Sequence, residues 1–242
     1  MIFRLALIIG SIVVSLFAVI GGFVLLQPEW VFSHLRQSSP NVLYAIDTRE
    51  KVVALTIDDG PDSEHTTGIL DTLANHGAHA TFFLITERVP GNEALVRRIV
   101  AEGHEIGNHM TEDEASINYP IDRFEEELLA ADEVLTQFGD IHWMRPGSGW
   151  YSDVMLDVLD EYGYRCALGS VYPYDPQVGS AWFSIRYVLW KTKPGDIIVL
   201  HDYRSRGERT IKALESILPE LNRRGYQVVT LSELESISST NQ

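Results

Sequence analysis

The chain has 242 residues, enough for one sizeable domain or two small ones with a substantial buried core. Hydrophobic residues make up 45% and charged residues 22%, a globular composition that excludes a disordered chain. With 34 Asp and Glu against 19 Lys and Arg, the net charge of −15 argues against nucleic acid as a partner and against attraction of the folded part to an anionic membrane surface. The lone cysteine, Cys166, excludes an intramolecular disulfide framework and any Cys-based zinc cluster. A bound metal must therefore be held by His, Asp or Glu.

Residues 5–26 carry no charge. As a helix they would reach roughly 33 Å at about 1.5 Å per residue, enough to cross a bilayer. The run ends at Gln27-Pro28-Glu29-Trp30 without a small-residue cleavage site, which predicts an uncleaved single transmembrane anchor over residues 1–26; cleavage would instead give a secreted protein. Arg4 precedes the run and Glu29 follows it, so the positive-inside tendency places the remainder outside the cytoplasm. Trp30 suits the headgroup level, residues 27–50 read as a stalk, and residues 236–242 as a flexible tail.

Between these ends, residues 51–235 alternate short apolar runs with amphipathic stretches, the pattern of repeated βα units. Strands are predicted over 52–57, 80–85, 105–109, 142–145, 165–169, 197–201 and 227–231. Helices are predicted over 66–75, 93–102, 121–138, 152–162, 181–191 and 209–224. Gly77, Gly103, Gly139, Gly163 and Gly225 each fall just past a helix, where a left-handed residue ends one. Seven strands with intervening helices favour a closed or nearly closed parallel barrel, with an open doubly wound sheet as the alternative.

In parallel α/β folds, sites form at the carboxyl ends of the strands. The first strand ends in Asp58-Asp59-Gly60-Pro61 and the third in Asn108-His109, with Asp113 four residues on. The fourth ends in Arg145-Pro146-Gly147-Ser148-Gly149 and the sixth in His201-Asp202. Any one of these could be a solvated loop residue; all of them on one rim point to a site. Asp59, His109 and Asp113 offer one nitrogen and two oxygens, a set suited to a divalent ion such as zinc with an open position. Two adjacent carboxylates allow one to bind metal while the other takes a proton from water. Arg145 could hold that second carboxylate ionised, and His201 could protonate a leaving group. Such an assembly suits metal-assisted hydrolysis of an amide or ester.

The same residues resemble the motifs of the polysaccharide deacetylases, the NodB-homology domain of carbohydrate esterase family 4. Thr56-Ile57-Asp58-Asp59-Gly60-Pro61 resembles the first motif and His109-Met110-Thr111-Glu112-Asp113 the second. Arg145-Pro146-Gly147-Ser148-Gly149 resembles the third, and Ile198-Val199-Leu200-His201 the fifth. The resemblance implies a distorted (β/α)7 barrel, one divalent ion (zinc, with cobalt, manganese or nickel as alternatives) and removal of acetyl groups from a glycan. It further implies that Asp58 is the general base, steadied by Arg145, that Asp59, His109 and Asp113 ligate the metal, and that His201 is the general acid.

The sequence departs from that pattern in three places. Asp113 stands where many members carry His. Ser148, beside Gly149, stands where an aromatic is usual, and Trp150 just beyond is the expected sugar-stacking face. The fourth motif usually pairs an Asp with a Trp that Tyr174-Asp175-Pro176 lacks; Asp175 is expected to orient His201, with Asp202 the alternative.

Other polar residues read as structural. His104 lies roughly 16 Å from His109 along a strand at about 3.3 Å per residue, too far to share an ion. His76, His79 and His142 sit at strand starts on the opposite rim, and Cys166 lies in an apolar strand. The expected protein is thus a membrane-anchored, metal-dependent N-deacetylase of a chitin-like or peptidoglycan-like polymer outside the cell. An O-acetyl esterase or small-amide hydrolase of the same superfamily, and a non-catalytic glycan-binding membrane protein, are its rivals.

Overall fold

Residues Val52–Gly60 form a nine-residue strand, β2, buried along its whole length. The run Val52-Val53-Ala54-Leu55-Thr56-Ile57 has no polar alternation because both faces of a parallel strand are covered. A computed structural model describes residues 28–240. The predicted anchor over residues 1–26 lies outside them; among the described residues no helix is long and apolar enough to cross a membrane. The chain divides into two compact units, residues 1–40 and 41–242. Of the first, the described part is helix α1 (Glu29–Ser38) with its flanking residues.

The second unit alternates strands and helices: β1 (Val42–Leu43), β2, α2 (Thr66–His76), β3 (Thr81–Leu84), α3 (Glu93–Ala101), β4 (Glu105–Asn108), α4 (Ile121–Leu135), β5 (Trp143–Met144), α5 (Asp153–Glu161), β6 (Arg165–Ala167), α6 (Ala181–Lys191), β7 (Ile197–His201), α7 (Ser205–Arg223), β8 (Gln227–Val229) and α8 (Leu231–Thr240). Every strand pair is parallel, in the order β1-β6-β5-β4-β3-β2-β7, with β8 also on β2. Isolated bridges from Val171 to Ile198 and from Ala45 to Asp196 tie the chain after β6 and after β1 to β7, so the sheet bends round toward itself. This barrel-like closure distinguishes it from the open doubly wound alternative.

All seven expected strands are present. Val42–Leu43 adds an eighth within the segment that reads as a stalk: it pairs with Cys166 and Ala167 of β6. Helix α8 occupies the end that reads as a tail. Its start is a capping box, in which the Thr230 N–H donates to Glu233 Oε2 at 2.8 Å and the Glu233 N–H donates to Thr230 Oγ1 at 3.2 Å. Leu231 and Leu234 of α8 then join Val52, Ala54, Phe83, Trp143 and Ile197 in the core. These contacts close the end of the sheet away from the Asp58 rim, and Trp143 Nε1 donates to Ser232 Oγ at 2.9 Å.

Register aligns the site. Asp58 on β2 lies level with His201 on β7, and Leu84 on β3 with Asn108 on β4. Asn108 is level with Met144 on β5, so His109 and Arg145 emerge side by side. The β2–β3 register shifts between Asp58 and Gly60, and Asp59 takes φ 71° there. That left-handed turn is tolerated by Asp better than by most side chains.

Candidate active site

Four buried side chains form two pairs. On one side, Arg145 Nη1 donates to Asp58 Oδ1 at 2.5 Å. The rest of its guanidinium is spoken for: Nε donates to Ala167 O at 2.9 Å, Nη2 to Leu168 O at 2.7 Å, and Nη1 also to Thr56 Oγ1 at 2.7 Å. The guanidinium carbon stands 4.2 Å from the Phe83 ring centroid. So fixed an Arg holds Asp58 in one orientation with its charge compensated.

On the other side, His201 Nδ1 lies 3.0 Å from each carboxylate oxygen of Asp175. Asp175 therefore takes the orienting place beside His201, while Asp202 turns away to accept from Thr66 Oγ1. Burial disfavours charge on His201, but Asp175, then Asp58 and Asp59, outweigh it and raise its pKa to about 9. The imidazole is thus protonated at neutral pH and fit to give up a proton. The Tyr172 ring packs edge-on at 5.9 Å from the His201 ring.

Between the pairs sit Asp59 and His109. His109 Nδ1 is 2.6 Å from Arg145 O; a carbonyl can only accept, so Nδ1 carries the proton. Its Nε2 then faces Asp59 Oδ1 at 3.4 Å. Burial works against ionising Asp59, yet the His109 contact and the charges of His201 and Arg206 hold its carboxyl well below the usual carboxylate range. A His with Nδ1 anchored on a carbonyl, its Nε2 beside a buried carboxylate, fits a divalent ion.

The third expected ligand does not join them. Asp113 is half-exposed, and its Oδ2 accepts from Arg88 Nη2 at 2.9 Å and lies 3.8 Å from Arg206 Nη2. Arg206 Nη1 is 2.8 Å from Asp59 Oδ2. Among the described residues no three His, Cys, Asp or Glu side chains converge closely enough to hold a metal ion. Asp59 and His109 fit the ion; Asp113, as placed, does not.

The turn Gly147–Gly149 follows Arg145-Pro146 and carries Ser148 and Gly149 exposed at the rim. A side chain at Gly147 would run into the Glu114 carbonyl, which ties this turn to the loop bearing Asp113. Trp150 is 69% exposed, so it is not the packed residue that an interior role would require. His104 is buried away from this rim, accepting from the Ala80 N–H at 3.3 Å, with its pKa pushed down to about 4 chiefly by burial.

Arg88, Arg206 and Tyr172 are the site residues that sequence reasoning missed. Arg206 stands five positions beyond His201 in an Arg-rich stretch, Tyr203-Arg204-Ser205-Arg206, the one signal that could have drawn notice.

Asp202 lies behind the site, fully buried. Its pKa is raised to about 7, first by burial, with Asp62 and Asp59 adding to the rise and the Thr66 hydroxyl opposing it. A carboxyl that holds its proton more tightly folded than unfolded stabilises the protein fully at low pH, and that stabilisation is lost as pH rises through about 7. Asp202→Asn is therefore expected to gain in Tm relative to the wild type between pH 5 and pH 8, measured by thermal unfolding. Parallel curves would show that Asp202 titrates normally.

A parallel α/β sheet that gathers a carboxylate–arginine pair and a histidine–carboxylate pair on one rim is the frame of a hydrolase. Residues 45–167 match the Polysaccharide deacetylase family. A peptidoglycan-N-acetylglucosamine deacetylase of Bacillus cereus is 36% identical over 196 residues, 80% of this chain and 92% of that protein. A chitooligosaccharide deacetylase of a Bradyrhizobium species is 34% identical, covering 75% of this chain and 90% of its own length. The crystal structure of the Bc1960 peptidoglycan N-acetylglucosamine deacetylase superposes with a TM-score of 0.78 at 30% identity, covering 83% of this chain and 95% of that one. A pseudoenzyme of the same carbohydrate esterase family, BA3943 of Bacillus anthracis, superposes with a TM-score of 0.73 at 26% identity, over 80% of this chain and 68% of that one. The chain belongs to the polysaccharide deacetylase family, as its motifs imply.

Proposed function

We propose that this protein removes N-acetyl groups from a hexosamine-containing glycan of the cell envelope, chitin-like or peptidoglycan-like. The observation that carries this reading is two buried pairs, Asp58–Arg145 and His201–Asp175, whose Asp58 and His201 lie level on adjacent strands. Asp58, oriented by Arg145, accepts the proton of the attacking water. His201, charged and held by Asp175, gives its proton to the departing amine, so that an amide leaves as a neutral amine rather than an anion. The names of the relatives and the exposed Trp150 and Ser148–Gly149 turn beside the rim support a glycan substrate, since an aromatic face stacks on a sugar ring.

Asp59 and His109, with Asp113 once Arg206 has swung away, would hold one divalent ion, zinc or else cobalt, manganese or nickel. Such an ion when bound polarises a carbonyl and acidifies a water. The uncharged run over residues 5–26 supports a single-pass anchor with residues 51–235 as the catalytic domain outside the cytoplasm. Acetate release from purified protein tests the reading against N-acetylated chitooligosaccharide, peptidoglycan and O-acetylated xylan. Release from an N-acetyl substrate is expected. Release from xylan alone would make the protein an esterase, and release from none would overturn the deacetylase reading in favour of a small-amide hydrolase or a glycan-binding protein.

A further inference from the structure

Asp59 and Asp113 are both already satisfied by cations, and those cations belong to the chain. Arg206 Nη1 is 2.8 Å from Asp59 Oδ2 and its Nη2 3.8 Å from Asp113 Oδ2. Arg88 Nη2 donates to Asp113 Oδ2 at 2.9 Å, and its Nη1 donates to the Asp59 backbone carbonyl at 2.5 Å. A carboxylate lone pair engaged by a guanidinium cannot also coordinate a metal. We infer that Arg206 is an internal counter-cation that competes with the divalent ion for Asp59 and Asp113, so that metal loading requires its displacement. This inference rests on the divalent-ion part of the proposed function.

The two arginines are not equivalent. Arg88 is one-tenth exposed, and its guanidinium carbon is stacked 3.6 Å above the Tyr203 ring, so it is pinned in place. Arg206 is about a quarter exposed, in the first turn of α7, and its other contact is a 3.4 Å bond from Nε to Tyr203 O. Arg206 has solvent to swing into once an incoming cation takes over its charge on Asp59; Arg88 does not. Arg88 therefore fixes where Asp113 lies, and Arg206 is the cation that a metal between the two carboxylates would have to replace. A second like charge near an incoming ion also repels it, so both effects have the same sign.

The test is calorimetric titration of the full-length protein with Zn2+ alone, repeated with Co2+, for wild type, Arg206→Gln, Arg206→Lys and Asp59→Asn. Arg206→Gln is expected to lower the Kd by about tenfold, the size of one lost charge-assisted hydrogen bond. Arg206→Lys, which keeps the charge, should stay near the wild type, and Asp59→Asn should lose binding. Circular dichroism confirms that each variant is folded. Should Arg206→Gln not fold, Arg206→Met takes its place with the same expectation. Zn2+ binding by the neutral variant no tighter than by the wild type would overturn the competition while leaving the metal site standing. No binding by either would remove the ion as well, and acetate release would still decide the deacetylase reading by itself.

Discussion

Asp58→Asn is expected to lower kcat by about 10² to 10⁴-fold, the range lost when a positioned general base is removed. Asn keeps the shape of the side chain and an oxygen able to accept from Arg145 Nη1, but it cannot take a proton from water. Arg145 would keep its other acceptors, the carbonyls of Ala167 and Leu168 and the Thr56 hydroxyl. Its buried charge would nonetheless lose its counter-ion, which costs up to about 3–5 kcal/mol when a buried pair is broken. The two effects separate by measurement: thermal unfolding reports the folded fraction at the assay temperature, and kcat is normalised to it. A folded Asp58→Asn protein that keeps more than a tenth of wild-type kcat would remove Asp58 as the base. Substitution of the neighbouring Asp59 reads differently, because its carboxylate faces His109 and Arg206 rather than Arg145.

Asp58, His109, Arg145 and His201 were legible because each stands at the end of a predicted strand, and the end of a parallel strand has a fixed address on one rim. Asp175 lies on no such run; the family pattern singled it out, and its place beside His201 comes from the long loop between β6 and α6. The metal set was legible only in part. The four-residue gap from His109 to Asp113 permits convergence but does not impose it, because the intervening turn, with Met110 at φ 70°, carries Asp113 toward solvent and the arginines. Arg88 and Arg206 were not foreseen: one reaches the carboxylates from the turn Thr86–Arg88 and the other from the first turn of α7, and the Arg-rich stretch around Arg206 does not say where a guanidinium comes to rest. At the ends of the folded unit the readings as stalk and tail also fell short. The capping pattern Thr230-Leu231-Ser232-Glu233 starts α8 where a strand to 231 and a flexible tail from 236 are predicted, and the two-residue β1 has no periodicity to detect.

Asp175→Asn should cut kcat at pH 8 and move the alkaline limb of its pH profile downward. Asp175 is the leading influence that raises the His201 pKa to about 9, against burial that would depress it. An imidazole whose folded pKa exceeds its unfolded value stabilises the protein fully below about 6.5, and that stabilisation is lost as pH rises through about 9. In the folded protein the protonated, catalytically useful form is lost as pH rises through about 9. Removing the carboxylate charge leaves only Asp58 and Asp59 to oppose burial, so His201 gives up its proton at lower pH. His201→Ala, by comparison, removes the acid outright and should lower kcat by about 10² to 10⁴-fold at pH below about 9, the difference narrowing above it. A merely structural role for Asp175 would change kcat or Tm without moving the limb. The profile of kcat against pH for Asp175→Asn therefore separates the two: a limb that stays where the wild type has it would mean that some other group, and not the pair His201–Asp175, delivers the proton to the leaving amine.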